Sequence, residues 1–340
     1  MYQASQISTK NLLAKEKFSE KIINQLANVS TLANYGQDIN VNGFVGLVSL
    51  AAISTELWCV KTGNKQVPIR LLKNNKSANV IFNATVKSIN PKNDKNLIEY
   101  EINNRIHSKT YDYVIIACPL TKNNEINLGF DYIDHLNYEL HFNQACLIEG
   151  TINLFPNIPK RHRIEMFSCD PTTDCRIICT QLPCDFSEER DASLILNNER
   201  NIFKTFSPYD LTDQMTERIF EPDYKLLKKC NWLGFPKYET IKKQAYPGIH
   251  VDSQDRSRVF YLNSIEWAAS CMELSCISAR NIALLISIKE IGKLATETKC
   301  RHRFTGFLNK EENSKYIFYT VIIITFIISI FSSLFCILAT

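Results

Sequence analysis

The sequence predicts a mixed α/β body followed by a C-terminal membrane-spanning helix, and three observations carry that reading. From Tyr316 to Thr340 there is no Asp, Glu, Lys, Arg or His, and Ile317–Leu338 is apolar over a length that crosses a bilayer core, which takes about 20 residues. Near the N-terminus apolar residues recur at helical spacing. Between Ala78 and Ala117 short strand-like runs alternate with polar turns, and a strand–turn–helix unit closes the body. A chain of 340 residues is long enough for roughly two domains.

Lys10 to Ala27 places Leu12, Leu13, Phe18, Ile22, Ile23 and Leu26 on one side of a surface helix, with Lys15, Glu16, Glu20 and Lys21 on the other. Asn42 to Ile53 is apolar and small, with Gly43, Gly46 and Ala51, which suits a helix lying close against a flat surface. Leu57 to Val60 reads as a strand. Three strands follow, Val80–Ile89, Leu97–Ile102 and Tyr111–Ala117, joined by the turns Asn90–Asp94 and Asn103–Arg105 into a small antiparallel meander. Gln144–Leu154 and Arg176–Leu182 add further strands. Arg258–Leu262 is a short buried strand, Asn263-Ser264 a turn, and Ala268–Lys289 a helix. That last unit aims backbone N–H groups at an anionic or electron-rich ligand.

Composition removes several function classes. Lys plus Arg is 39 against 35 Asp plus Glu, a net charge of +4, and the basic residues are scattered, so nucleic acid is not an expected partner. Of 12 cysteines, Cys169, Cys175, Cys179 and Cys184 cluster, but their spacing lacks the paired C-x2-C knuckles of a zinc site, so no metal is expected. Disulfides in an oxidising compartment and buried thiols in the cytosol both remain open. Asn28, Asn75 and Asn83 head glycosylation sequons. The N-terminal stretch has no apolar signal-peptide core.

No G-x-S-x-G, H-E-x-x-H, G-x-x-x-x-G-K-[ST] or G-x-G-x-x-G occurs, and the histidines at 107, 135, 141, 162, 250 and 302 have no metal-ligand spacing. What remains is the pattern of a protein whose cofactor does the chemistry. Asn34–Gln37, Asn42–Leu50, Leu57-Trp58 and Gly63-Asn64-Lys65 resemble the prenylcysteine oxidase (prenylcysteine lyase) family. So do Tyr111–Pro119, His141, Trp232–Tyr238, Tyr261–Ser275 and Asn281, in order over most of residues 10 to 290. There is weaker kinship with flavin amine oxidases.

The resemblance implies an FAD-binding domain interleaved with a mixed-sheet substrate domain. On it, 1–60 is the helical part of the substrate domain and 61–120 part of the FAD domain; 121–250 is substrate domain and 251–295 returns to the FAD domain. A linker (296–316) and the transmembrane helix (317–338) follow. The implied reaction oxidises the thioether of farnesyl- or geranylgeranyl-cysteine with O2, giving cysteine, a prenyl aldehyde and hydrogen peroxide. The implied cofactor contacts are Gly63, Asn64, Val86, Ala117 and Met272. Each also has a plain structural role open to it, as turn, sheet core or helix core. No acid, base or nucleophile is nominated, and the substrate pocket is expected within Phe130–Leu154 and Phe203–Trp232.

Two departures matter. The family's signal peptide and G-x-G-x-x-G turn have no counterpart here, which implies a truncated chain that binds FAD weakly or not at all when made alone. Thr62 and Ser264 stand where the family tends to have glycine, and Ser264 is expected to crowd a positive-φ turn. The alternatives are a catalytically inactive membrane protein keeping the fold, or a flavin amine oxidase with another substrate. Arg301, Arg303, Lys310 and Lys315 before the apolar segment favour a cytosolic body with a tail anchor. The sequons and the resemblance favour a lumenal, lysosome-type glycoprotein, and a removable GPI signal after Thr305-Gly306 also fits. The lumenal orientation is the expectation.

Overall fold

Capping residues set the first helices of the computed structural model. Ser8 accepts the Asn11 N–H at 3.2 Å and opens the helix Thr9–Lys15. Lys17 then takes a left-handed φ of 63°, and Ser19 caps a second start at Glu20–Ile22. This continues through a π-helical turn, Ile23–Ala27, into Asn28–Tyr35. The single helix expected over Lys10–Ala27 is therefore two, because a serine able to cap interrupts the run. Leu13, Ile23, Ala27 and Ile39 form the core between them, whereas Phe18, Ile22 and Leu26 are exposed.

The described residues are 2–51, 60–121, 126–130, 139–153, 165–169, 173, 175–182, 200–241, 247–251 and 258–297. The apolar run 317–338 and the strand residues 57–59 lie outside them. Among the described residues no helix is long and apolar enough to cross a membrane.

The strands are β1 (Thr85–Lys92), β2 (Lys95–Ile102), β3 (Arg105–Tyr111), β4 (Val114–Ile116), β5 (Asn127–Leu128), β6 (Leu140–Gly150), β7 (Glu165–Phe167), β8 (Ile177–Thr180), β9 (Asn201–Ser207), β10 (Lys225–Pro236) and β11 (Val259–Tyr261). They form a four-stranded sheet ordered β3-β2-β1-β5, a five-stranded sheet ordered β10-β6-β9-β8-β7, and the pair β11-β4. The mixed α/β expectation stands.

Contacts divide the chain into two units. One takes residues 1–66 and 139–245; the other takes 67–138 and resumes at 246. In the second unit, the meander's third strand is β3 rather than the expected Tyr111–Ala117. Asn103 and Asn104 both adopt positive φ, the signature of a tight hairpin turn, so the chain folds straight back as β3. β3 is exposed along almost its whole length and carries no apolar alternation, which is why its pattern is silent. Tyr111–Ala117 instead supplies β4, parallel to β11.

In the first unit the helix Gly43–Ala51 packs where Thr9 donates its hydroxyl to the Val41 and Asn42 carbonyls, both at 3.0 Å. A Cβ on Gly46 would lie 2.1 Å from Thr9 Oγ1, so only glycine lets the two helices meet. The five-stranded sheet packs one face against Leu211, Ile219 and Phe220 through Cys146, Ile148, Ile178 and Phe203. At its centre Gln144 donates to Asp210 (2.5 Å) and Asn231 (2.9 Å) and accepts the Leu211 N–H (3.0 Å). Gly46→Ala should destabilise the protein by about 1–3 kcal/mol through overpacking. A chemical denaturation midpoint equal to wild type would contradict that packing.

Candidate functional site

In the second unit β4 and β11 run parallel with Val114, Ile115 and Ile116 opposite Val259, Phe260 and Tyr261, so their carboxyl ends lie side by side. Ligands of open α/β sheets bind off that edge. Ala117 follows β4 directly and is buried with Phe260, Leu262, Ala279, Ile282 and Ala283, the last three from the helix Met272–Glu297. Its side chain serves the core.

After β11 the expected Asn263-Ser264 turn is a 3-10 helix, Leu262–Trp267, and the long helix begins at Met272 rather than near Ala268. Ser264 is not left-handed: the positive-φ non-glycine residues described are Lys17, Thr62, Asn83, Asn93, Asn103, Asn104 and Arg258. The feared crowding does not arise, because 3-10 geometry suits any residue.

Tyr261, fully buried, is the hub of this edge. Its hydroxyl accepts the Leu120 N–H at 3.1 Å and the Trp267 indole N–H at 3.2 Å, tying the loop after β4 to the turn after β11. Asn263 is 1% exposed; its amide nitrogen donates to Glu266 at 2.8 Å, but its Oδ1 is buried with no hydrogen-bond partner. Such an acceptor is costly unless something donates to it. A flavin ring, which carries an N–H, fits that need, and the edge of a parallel pair beside a helix N-terminus fits its electron-accepting end. Met272 opens that helix with an exposed side chain.

Val86 lies elsewhere, half-buried on β1 opposite Tyr100, next to a register shift. Gly63 and Asn64 belong to the first unit. Thr62 and Gly63 have φ of 71° and 95°, and Asn64 Oδ1 accepts the Val60 N–H at 3.0 Å, closing a tight turn. Of the sequons, Asn83 is exposed at a left-handed position, Asn28 uses its side-chain oxygen on the Ile39 N–H, and the Asn75 amide nitrogen is buried.

The first unit holds a second constellation. Residues directly opposite in a ladder share a face. Ala145 pairs with Phe206 and Cys230, Asn143 with Trp232, Leu147 with Lys204 and Lys228, and Phe206 with Ile177. These side chains therefore line the face turned away from Leu211 and Phe220. Phe206 and Trp232 meet edge to face, centroids 6.3 Å apart. Ala145, Leu147, Phe206 and Trp232 are half-buried.

At one end of this face Asn143 sits between two glycines. A Cβ on Gly36 would lie 2.8 Å from its Oδ1, and one on Gly234 would lie 2.6 Å from its Nδ2. His141 lies beside it, its pKa lowered chiefly by burial and further by the charges of Arg176 and Lys237. Sequence reasoning placed the pocket within 130–154 and 203–232. Asn143, Ala145 and Leu147 of that range share one side of β6; Tyr261 and Asn263 fall in the run Tyr261–Ser275 that resembles the family but were not singled out.

Tyr261→Phe should destabilise the fold by about 2–3 kcal/mol, because it leaves two buried N–H donors unpaired. A shift in the tryptophan fluorescence of the folded protein should accompany it; an unchanged melting temperature would refute the hub.

The sequence profile of the family described as prenylcysteine lyase matches residues 1–296. Prenylcysteine oxidase 1 of Mus musculus is 33% identical over 289 residues, 80% of this chain and 55% of that protein. The Homo sapiens protein of the same name is 32% identical over 288 residues with the same coverage, and Prenylcysteine oxidase 1-like of Homo sapiens is 28% identical over 298 residues, 83% of this chain and 57% of that protein. The chain thus spans about half the length of the curated relatives it matches. A solved structure of OxyS anhydrotetracycline hydroxylase from Streptomyces rimosus aligns over 94% of this chain and 67% of its own at 8% identity, with a TM-score of 0.33, too low to assign a fold.

Proposed function

The chain belongs to the prenylcysteine lyase family, and from that premise we propose that it forms the body of an FAD-dependent thioether oxidase acting on farnesyl- or geranylgeranyl-cysteine. In balance, prenylcysteine, water and O2 give cysteine, a prenyl aldehyde and hydrogen peroxide. The bound flavin supplies the two-electron acceptor, which O2 reoxidises.

The observation that carries the reading, beyond the family, is the buried, unpartnered Asn263 Oδ1 at the carboxyl edge of the β4–β11 pair. Asn263 and the start of the helix at Met272 would hold the flavin's ring end, with Tyr261 fixing the backbone that carries them. Val86 and Ala117, in the same unit, are carried over as backbone neighbours of the cofactor. The half-buried apolar face of the five-stranded sheet would seat the prenyl chain and keep bulk water off it. Burial lowers the pKa of His141, disfavouring its charged form.

We place the body in an oxidising lumen. Cys230 is disulfide-bonded, which suits such a compartment, and the exposed Asn83 suits a glycoprotein. The apolar run 317–338 would tether it to the membrane.

The test is to express the full-length protein in a secretory host and supply farnesylcysteine. Flavin absorbance in the purified protein and peroxide released in step with free thiol are expected. A colourless protein that yields neither product would overturn the reading, and turnover of polyamines instead would redirect it to amine oxidation.

A further inference from the structure

We infer that the outer edge of β3 receives an extended peptide strand from a partner protein, one that carries Asp or Glu at every second position. The inference is independent of the proposed activity.

β3 ends the four-stranded sheet on one side: it pairs with β2 and has no neighbour beyond it. Natural sheets blunt such edges with bulges, prolines, very short strands or a covering loop. None of these is present at β3. Its 7 residues pair with β2 without a register shift, contain no proline, and are exposed from Arg105 to Thr110. The remaining device is charge, and here the charge has one sign.

The register decides which groups an added strand would meet. Asn103 and Asn104, both left-handed, make a two-residue turn, so the flanking Ile102 and Arg105 form a hydrogen-bonded pair. Bonded pairs then alternate along the ladder. Arg105, His107, Lys109 and Tyr111 direct their backbone groups at β2, whereas Ile106, Ser108 and Thr110 direct N–H and C=O groups to the open edge. Among the described residues no hydrogen bond from outside the sheet reaches Ile106, Ser108 or Thr110. The edge is a row of donors and acceptors with the spacing of a strand.

Side chains set the preference. Arg105, His107 and Lys109 share one face, and β3 contains no Asp or Glu. His107 stacks on Tyr100, centroids 5.6 Å apart, and the Lys109 ammonium lies 5.3 Å over the Tyr111 ring, so both are held on that face. Toward an added strand these are the non-hydrogen-bonded positions, where opposite side chains approach most closely. Acids at every second residue of an extended chain recur about 7 Å apart and keep step with the bases.

The opposite face asks for something else. Glu99 and Glu101 of β2 stand opposite Ser108 and Ile106, and they are already engaged, by the Ser88 hydroxyl at 2.6 Å and by Lys87 at 3.0 Å. The intervening residues of the added strand would meet Ser108, Thr110 and Ile106, the last 61% exposed, so they are best uncharged and apolar. Asp112, just past β3, is paired with Lys95 at 3.2 Å. A second copy of this chain is a poor occupant: antiparallel in register about Ser108, it would set His107 against the other copy's Lys109, base on base.

The experiment titrates the full-length protein into a short, end-capped, labelled peptide alternating glutamate and valine, read by fluorescence anisotropy. Saturable binding that weakens with added salt is expected, and the same peptide with lysine in place of glutamate should not bind. Arg105→Glu combined with Lys109→Glu should weaken binding about tenfold or more by turning attraction into repulsion. Ser108→Pro should also cost about tenfold, because it removes an outward donor while leaving the β2 ladder intact. Where that variant fails to fold, N-methylation of the peptide's valines removes the same hydrogen bonds from the ligand side. Lys10→Glu, exposed in the other unit, should change nothing. Equal binding of the lysine peptide, no binding of the glutamate peptide, or binding that survives both Ser108→Pro and N-methylation would overturn the inference. A concentration-dependent dimer in sedimentation that Ser108→Pro abolishes would overturn it in favour of a second copy at this edge.

Discussion

β6 pairs with β10 on one edge and, from Gln144 to Gly150, with β9 on the other, so from Gln144 to Glu149 it is hydrogen-bonded into a ladder on both sides. A strand held in this way has one freedom left, the alternation of its side chains, and the first unit is organised by it. Even-numbered residues, Gln144, Cys146 and Ile148, meet the core around Phe220. Odd-numbered residues, His141, Asn143, Ala145 and Leu147, face the other way. Even-numbered side chains thus enter one core and odd-numbered ones the opposite side, a division that period-two geometry imposes on any strand.

The second unit solves a different problem. A two-stranded parallel pair is a small platform, and it is held by a phenol rather than by a long ladder. Tyr261 lies at the end of β11 and binds two buried donors, from Leu120 and from Trp267. The same turn leaves the Asn263 oxygen unanswered. Asn263 Oδ1 is one of several buried polar atoms without a hydrogen bond among the described residues, and it is the one that stands beside this hub.

Much of this was legible in the sequence, and the gaps have physical causes. The helix over Asn42–Ile53 and the strands in 144–154 and 176–182 carry strong apolar patterns, so Gly43–Ala51, β6 and β8 fall inside or across the expected ranges. The N-terminal helix was misjudged because apolar periodicity continues through Phe18 and Ser19, where local capping overrides it. β3 was missed because an exposed edge strand needs no apolar face, and its turn uses Asn-Asn where Asn-Gly would have been the familiar signal. The family resemblance named only a neighbourhood, residues 130–154 and 203–232. It could not choose between the two sides of β6, since that choice is made by which side Leu211 and Phe220 cover, and those residues lie some sixty to eighty positions downstream.

Gln144 gives this arrangement its permanence. One buried amide reaches Asp210, Leu211 and Asn231, so it spans β10 and the loop after β9 from a single position on the central strand. Were the strand to slip by one residue, the amide would swing to the outward side, its three partners would be stranded, and the odd-numbered side chains would turn inward in the same motion. The amide works as a keyway. An insertion or deletion between Leu140 and Gly150 would break it, whereas a substitution on the odd-numbered side would leave it intact.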